Sequence, residues 1–337
     1  MKERLTNDDK NLFYILKGLA IFSVVCAHST PITENADKIS VVISEFLNYL
    51  GTMGVPIFFL VSGFLFDRNK RSLGAFWKRK LTTVVLPWIF CETMLWLYVV
   101  LRKGGITLKA WGLFVIGYEH TTYYLTVLMV LYVIFWFLKY DWQLYFVMAV
   151  SVISMICVGW DTGINVINTW TGTFYLNPLN WCAFFIIGML LNRKETLQER
   201  YMKQARFTPL WIVASVGYFV LCMIMEQDIY YFSKYAVVAH IVNILLLCSL
   251  AKCIANSKRK ERFITLGKYS FTIYLLHQFV AGIVVALSNR LNIFVGIMIR
   301  PFVIIAIVML GIWILKKINE KCSGKLDFIE SLIGIRE

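Results

Sequence analysis

Charged side chains are scarce. Asp, Glu, Lys and Arg make up 16% of the 337 residues, and 59% are hydrophobic. A soluble domain of this length needs far more charge to cover its surface, so no soluble domain of useful size can be cut from the chain. Acidic residues are the scarcer sign, 20 against 34 Lys and Arg, which leaves a formal net charge of +14. No internal repeat, heptad or low-complexity tract occurs. No small-residue cleavage site follows the first apolar run, so the polar segment Met1–Asn11 leads into a retained helix and not a removed signal peptide. There is no Cys-x-x-Cys pair and no Cys/His metal spacing. The eight cysteines (Cys26, Cys91, Cys157, Cys182, Cys222, Cys248, Cys253 and Cys322) read as small buried hydrophobes, and no metal is expected.

What is present is a series of apolar runs near membrane-spanning length, from end to end. They predict an all-α, polytopic integral membrane protein, with residues 1–337 forming a single transmembrane domain. About ten transmembrane helices are expected, over 12–30, 50–66, 82–101, 122–138, 142–159, 175–191, 208–225, 234–251, 264–287 and 298–315. With the N-terminus inside, most of the 34 Lys and Arg fall on the inner side. That bias predicts cytoplasmic termini and a multi-pass place in the cell membrane. It also accounts for the net charge without nucleic acid. The basic loops 67–80, 192–206 and 252–262 are topology signals first, with a secondary role for anionic lipid or a phosphorylated ligand. Three segments are irregular: an amphipathic stretch over 39–50, a long connection over 102–121 with the short apolar piece Trp111–Gly117, and a loop over 160–174.

Ionisable groups inside apolar helices are costly and usually face a protein interior or a wet cavity. The first span carries two, Lys17 and His28. Eleven helical steps return to within about 20° of the starting direction, so both are expected on one face. They lie about 16 Å apart along the axis. An imidazole titrates near neutrality and suits a general base. Phe76-Trp-Lys78-Arg79-Lys80, followed by Pro87-Trp88, sets three cations at the inner mouth of the third span, where they could neutralise a diphosphate. Glu92 lies inside that span and calls for a cation or water. Glu119-His120-Thr-Thr-Tyr123-Tyr124 sets a carboxylate and an imidazole beside aromatic rings that could orient a polyol, although rings at this depth also anchor at the interface. Ser270, Tyr274 and His277 fall at helical spacing, as a polar lining would. His240 is isolated and reads as packing. Gly51, Gly54, Ser62 and Gly63 read as close helix contacts.

Together these residues resemble the acyltransferase family 3, membrane-bound O-acyltransferases that modify cell-surface glycans. The resemblance runs through most of the chain. Lys17 and His28 meet a basic residue, ten positions and a histidine. Gly54 to Leu65 meets Gly-Val-x-x-Phe-Phe-x-x-Ser-Gly-x-Leu. Arg79, Lys80 and Pro87 meet a basic cluster closing on proline. Tyr123, Tyr124 and Leu125 meet an aromatic entry to a later span, and Ser270, Tyr274, Leu275 and His277 meet Ser-x-x-x-Tyr-Leu-x-His. Lys17 stands where many relatives carry Arg, and Thr83 where many carry a further basic residue.

The resemblance implies a ten-helix bundle, cytoplasmic acetyl-CoA as donor, and a glycan or lipid-linked sugar as acceptor. It casts His28 as general base, with Lys17, Arg79 and Lys80 on the donor. Glu119, His120, Tyr124, Ser270, Tyr274 and His277 then fall to the acceptor. Transfer would be done by the membrane unit or with a separate extracytoplasmic partner. The residues alone leave other classes open: a transporter or flippase of a small polar or lipid-linked substrate, or a membrane scaffold.

Overall fold

A computed structural model describes residues 6–31, 36–118, 122–162, 173–193, 205–288 and 293–335. All regular structure among them is helical. In chain order the helices are α1 (Asn7–Ala27), α2 (Lys38–Gly51), α3 (Gly54–Leu65), α4 (Leu73–Lys80), α5 (Leu86–Lys103), α6 (Leu108–Val115), α7 (Tyr123–Phe137), α8 (Asp141–Gly159), α9 (Leu179–Arg193), α10 (Thr208–Ile224), α11 (Ala236–Ala255), α12 (Lys260–Lys268), α13 (Ser270–Ser288), α14 (Ile293–Lys321) and α15 (Asp327–Leu332).

Eight helical stretches among the described residues are long and apolar enough to cross a membrane: Asn7–Ala27, Lys38–Leu65, Leu73–Leu101, Asp141–Gly159, Ala205–Ile224, Ala236–Ala255, Ser270–Ser288 and Ile293–Lys321. Two shorter apolar helices, Tyr123–Phe137 and Leu179–Arg193, cover the remaining expected spans. The amphipathic stretch expected over 39–50 is α2. It runs almost directly into α3, so the second span is longer than hydropathy indicates. The third also starts early, because a π-helical turn, Leu81–Val85, joins α4 to α5 without a break. The ninth expected span is interrupted. Tyr269 separates α12 from α13, so Ser270 opens a helix and does not sit inside one.

The chain divides into two compact units. The first comprises residues 1–27, 45–66 and 127–270, and the second comprises residues 28–44, 67–126 and 271–337. In the first unit the most extensive contact joins α3 to α9. A Cβ at Gly63 would stand 1.9 Å from the Phe185 carbonyl oxygen, and one at Gly188 would stand 1.9 Å from that of Leu60. Each glycine therefore admits the other helix's backbone. Aromatic rings fill the space beside this seam, with Phe59 at 5.3 Å from Trp181 and Phe135 at 4.9 Å from Phe185 between centroids. Helix α1 packs against α12 in the same manner: Gly18 faces the Phe263 carbonyl and Gly267 faces that of Tyr14.

In the second unit, α6 lies against α5, tied by the Trp111 indole N–H donating to the Thr93 hydroxyl at 3.0 Å. The short apolar piece around Trp111 is thus a docked helix. The C-terminal end is pinned by Asn319 of α14. Its amide donates to Asp327 and Glu330, both at 2.8 Å, and its carbonyl accepts from the Leu326 N–H at 2.8 Å.

Candidate active site

His28 heads the turn that follows α1, one residue past the last helical position, and is half-buried. It belongs to the second unit. Its ring lies 5.1 Å from that of His277 between centroids, tilted by 39°. His277 in turn lies 5.9 Å from Tyr274, and Tyr274 meets Tyr124 edge-on at 5.6 Å. Four residues predicted from three separate stretches of sequence thus form one line of rings.

The line is held from below by α13. Tyr274 and His277 are three apart and lie on one face. His277 is 1% exposed. Its Nδ1 is 2.7 Å from the Tyr274 carbonyl oxygen and 3.2 Å from that of Ile273. Carbonyl oxygens only accept, so Nδ1 carries the proton and Nε2 is the ring's acceptor, 3.2 Å from the Gln278 side-chain nitrogen. Tyr124 enters from the first turn of α7. Gly117, in a left-handed conformation at φ 77°, sets the approach to that turn, and a Cβ there would stand 2.3 Å from the Tyr123 nitrogen.

Glu92 of α5 is also in the second unit and is 1% exposed. The Thr122 hydroxyl lies beside it. Glu92 Oε2 and Thr122 Oγ1 are buried without a hydrogen-bond partner. No cation pairs with Glu92 among the described residues.

The proposed donor cations fall in two places. Arg79 and Lys80 occupy the last turn of α4. Arg79 is exposed, and Lys80 lies 5.5 Å over the Phe76 ring. The hydroxyls of Thr82 and Thr83 turn back onto the Arg79 carbonyl at 3.1 and 2.6 Å, so the threonines stabilise the wide turn after the cluster. Lys17 belongs to the first unit, with its ammonium 4.8 Å from the centre of the Tyr14 ring. Lys268, which sequence patterning did not single out, reaches the same ring at 5.9 Å. Both lysines adjoin the glycines that bring α1 and α12 together. Ser270 is buried in the first unit. Glu119 and His120 lie outside the described residues.

His240, read as packing, is 3% exposed and bonds through Nε2 to the Tyr231 carbonyl at 2.8 Å in the first unit.

A family model described as an acyltransferase domain matches residues 13–316. The chain belongs to acyltransferase family 3. No curated protein and no solved structure matches it. Family membership makes the chain a membrane acyltransferase, and the matched region takes in nearly all of the described helices. The line from Tyr124 to His28 and the cations of α1 and α4 all lie within it.

Proposed function

We propose that this acyltransferase moves an acetyl group from cytoplasmic acetyl-CoA to a hydroxyl of a cell-surface or exported glycan. The observation that supports the reading best is the contact of the His28 and His277 rings, half-buried against buried, at one end of a line of aromatic side chains.

In this reading His28 removes the proton from the acceptor hydroxyl as that oxygen attacks the thioester carbonyl. The carbon–sulfur bond breaks, and the CoA sulfur takes the proton back from the imidazolium. His277 is assigned to the acceptor beside His28, and the Tyr274 and Tyr124 rings are assigned to the sugar. Ser270, Glu119 and His120 are assigned to the acceptor by the sequence pattern alone. Lys17, Arg79 and Lys80 are assigned to the donor phosphates, where long cationic side chains are suited to an anion of high charge. The protein sits in the cell membrane with both termini in the cytoplasm, and its acceptor is a glycan or lipid-linked sugar.

The test is mass analysis of surface glycans from cells with and without the gene, and from cells carrying His28→Ala at equal abundance. An acetyl mass present with the wild type and missing from the other two supports the assignment. Glycans of unchanged mass in all three overturn it.

A further inference from the structure

Arg300 is the one arginine in the apolar run of α14 before its basic end, and it is 1% exposed. Burying a guanidinium in a membrane-spanning helix is costly, so its hydrogen bonds indicate its use. Three of them lie within the second unit. Nε donates to the Ser288 hydroxyl at 2.7 Å, and Nη1 donates to the carbonyl oxygens of Ser29, at 3.1 Å, and Pro31. The Thr30 carbonyl between them accepts from the Ser44 hydroxyl at 3.0 Å. The three carbonyls that follow His28 are thus each held by a side chain, two of them by one guanidinium.

We infer that Arg300 is a positioning residue for His28: it fixes the turn that begins at that histidine and so sets the direction of its ring. The inference rests on the proposal that His28 is the general base. Ser29 and Thr30 are buried, where water cannot replace a lost donor. On its N-terminal side His28 follows directly on the last helical residue, Ala27. On its C-terminal side no helix continues, and Arg300 supplies the constraint that a helix would. Ser288 completes the arrangement. Its hydroxyl donates to the Val285 carbonyl at 3.0 Å, which leaves its lone pairs for Arg300 Nε and orients the guanidinium plane. A lysine could reach one of these oxygens but could not span both and Ser288 together.

The experiment uses the purified full chain in detergent, as wild type, Arg300→Gln, Arg300→Lys, Ser288→Ala and His28→Ala. Two readouts are taken. One is the rate at which diethyl pyrocarbonate modifies His28, followed by peptide mass with His240 as internal control. The other is acetyl incorporation from labelled acetyl-CoA into isolated cell-envelope glycan. For Arg300→Gln, modification of His28 should accelerate by roughly threefold or more while His240 stays unchanged, as expected for local loosening. Its kcat should fall about tenfold or more with the KM for acetyl-CoA nearly constant, because misplacement of a catalytic group acts on the chemical step. Arg300→Lys should fall between. Ser288→Ala should shift both readouts in the same direction by less, and it carries the test if Arg300→Gln does not accumulate.

The inference is overturned if His28 reacts at the wild-type rate in these variants, or if His240 accelerates equally. It is also overturned if kcat is unchanged while His28→Ala abolishes transfer. A wild type that transfers no acetyl group, with His28 modification still controlled by Arg300, would retain the positioning role and remove the functional assignment.

Discussion

His277 is held by two carbonyls of its own helix, so its tautomer is determined before any ligand arrives. His277→Ala should lower acetyl transfer by about tenfold, roughly the worth of one hydrogen bond, and do so chiefly through the KM of the hydroxyl acceptor. Steady-state kinetics at varied acceptor concentration measure the split. Glu92 presents the opposite case. Its Oε2 has no partner and no cation faces it among the described residues. A charge there would be uncompensated. Glu92→Gln should therefore leave the thermal midpoint in detergent unchanged or raised, whereas an ion-paired carboxylate replaced in this way would lower it. Asp37 lies outside the spans and shows the usual sign. The Ser40 N–H and hydroxyl donate to its carboxylate at 2.9 and 2.7 Å and hold its pKa below the ordinary carboxylate value. Its contribution is present at neutral pH and is lost as pH falls through that depressed value. Amide exchange in the first turn of α2 should be faster in Asp37→Asn than in the wild type at pH 6, with the difference closing as the pH falls below the ordinary carboxylate range.

Paired glycines govern the contacts between elements. Gly63 and Gly188 each face the backbone of the opposite helix at 1.9 Å from where a Cβ would stand. Backbone cannot rotate away as a side chain can, so Gly188→Ala must separate α3 from α9. A loss of about 1–3 kcal/mol or more is expected, read as a lowered melting temperature by tryptophan fluorescence. Gly267→Ala should act likewise on α1 and α12. It should also weaken donor binding if Lys17 and Lys268 act on phosphate, because both lysines adjoin that contact. The glycines of the second span were recognisable from sequence as packing residues. The helix break at Tyr269 was not, because Gly267-Lys-Tyr-Ser270 reads equally well as the polar lining of one continuous span.

At the scale of the molecule, hydropathy located the eight candidate spans among the described residues, because a run of hydrocarbon side chains has few other places to go. It overstated two other helices: Tyr123–Phe137 and Leu179–Arg193 are shorter than the candidate spans. The rings that meet one another were legible as candidates where a short motif carried them, as with Tyr274 and His277. Arg300 was not legible. A lone arginine in an apolar run gives no sign of its partners, and those partners, Ser29 and Pro31, lie some 270 positions earlier. Lys268 was passed over for the same reason. The orientation argued from charge has a direct test in Cys322, which is exposed while Cys26, Cys91, Cys182, Cys222 and Cys248 are buried. A membrane-impermeant maleimide should leave Cys322 unmodified on intact cells and modify it once the membrane is opened.

The wide turn Leu81–Val85 holds one more residue than the regular helices on either side of it. Removing Thr83 would let the rod close into an unbroken α-helix with its two halves in nearly the same phase, because a wide turn is one extra residue looped into a helix. Arg79 and Lys80 would keep their azimuth while Glu92 kept its buried seat, so a one-residue deletion here would be absorbed where the same deletion in the regular part of the span would turn the cations by about 100°.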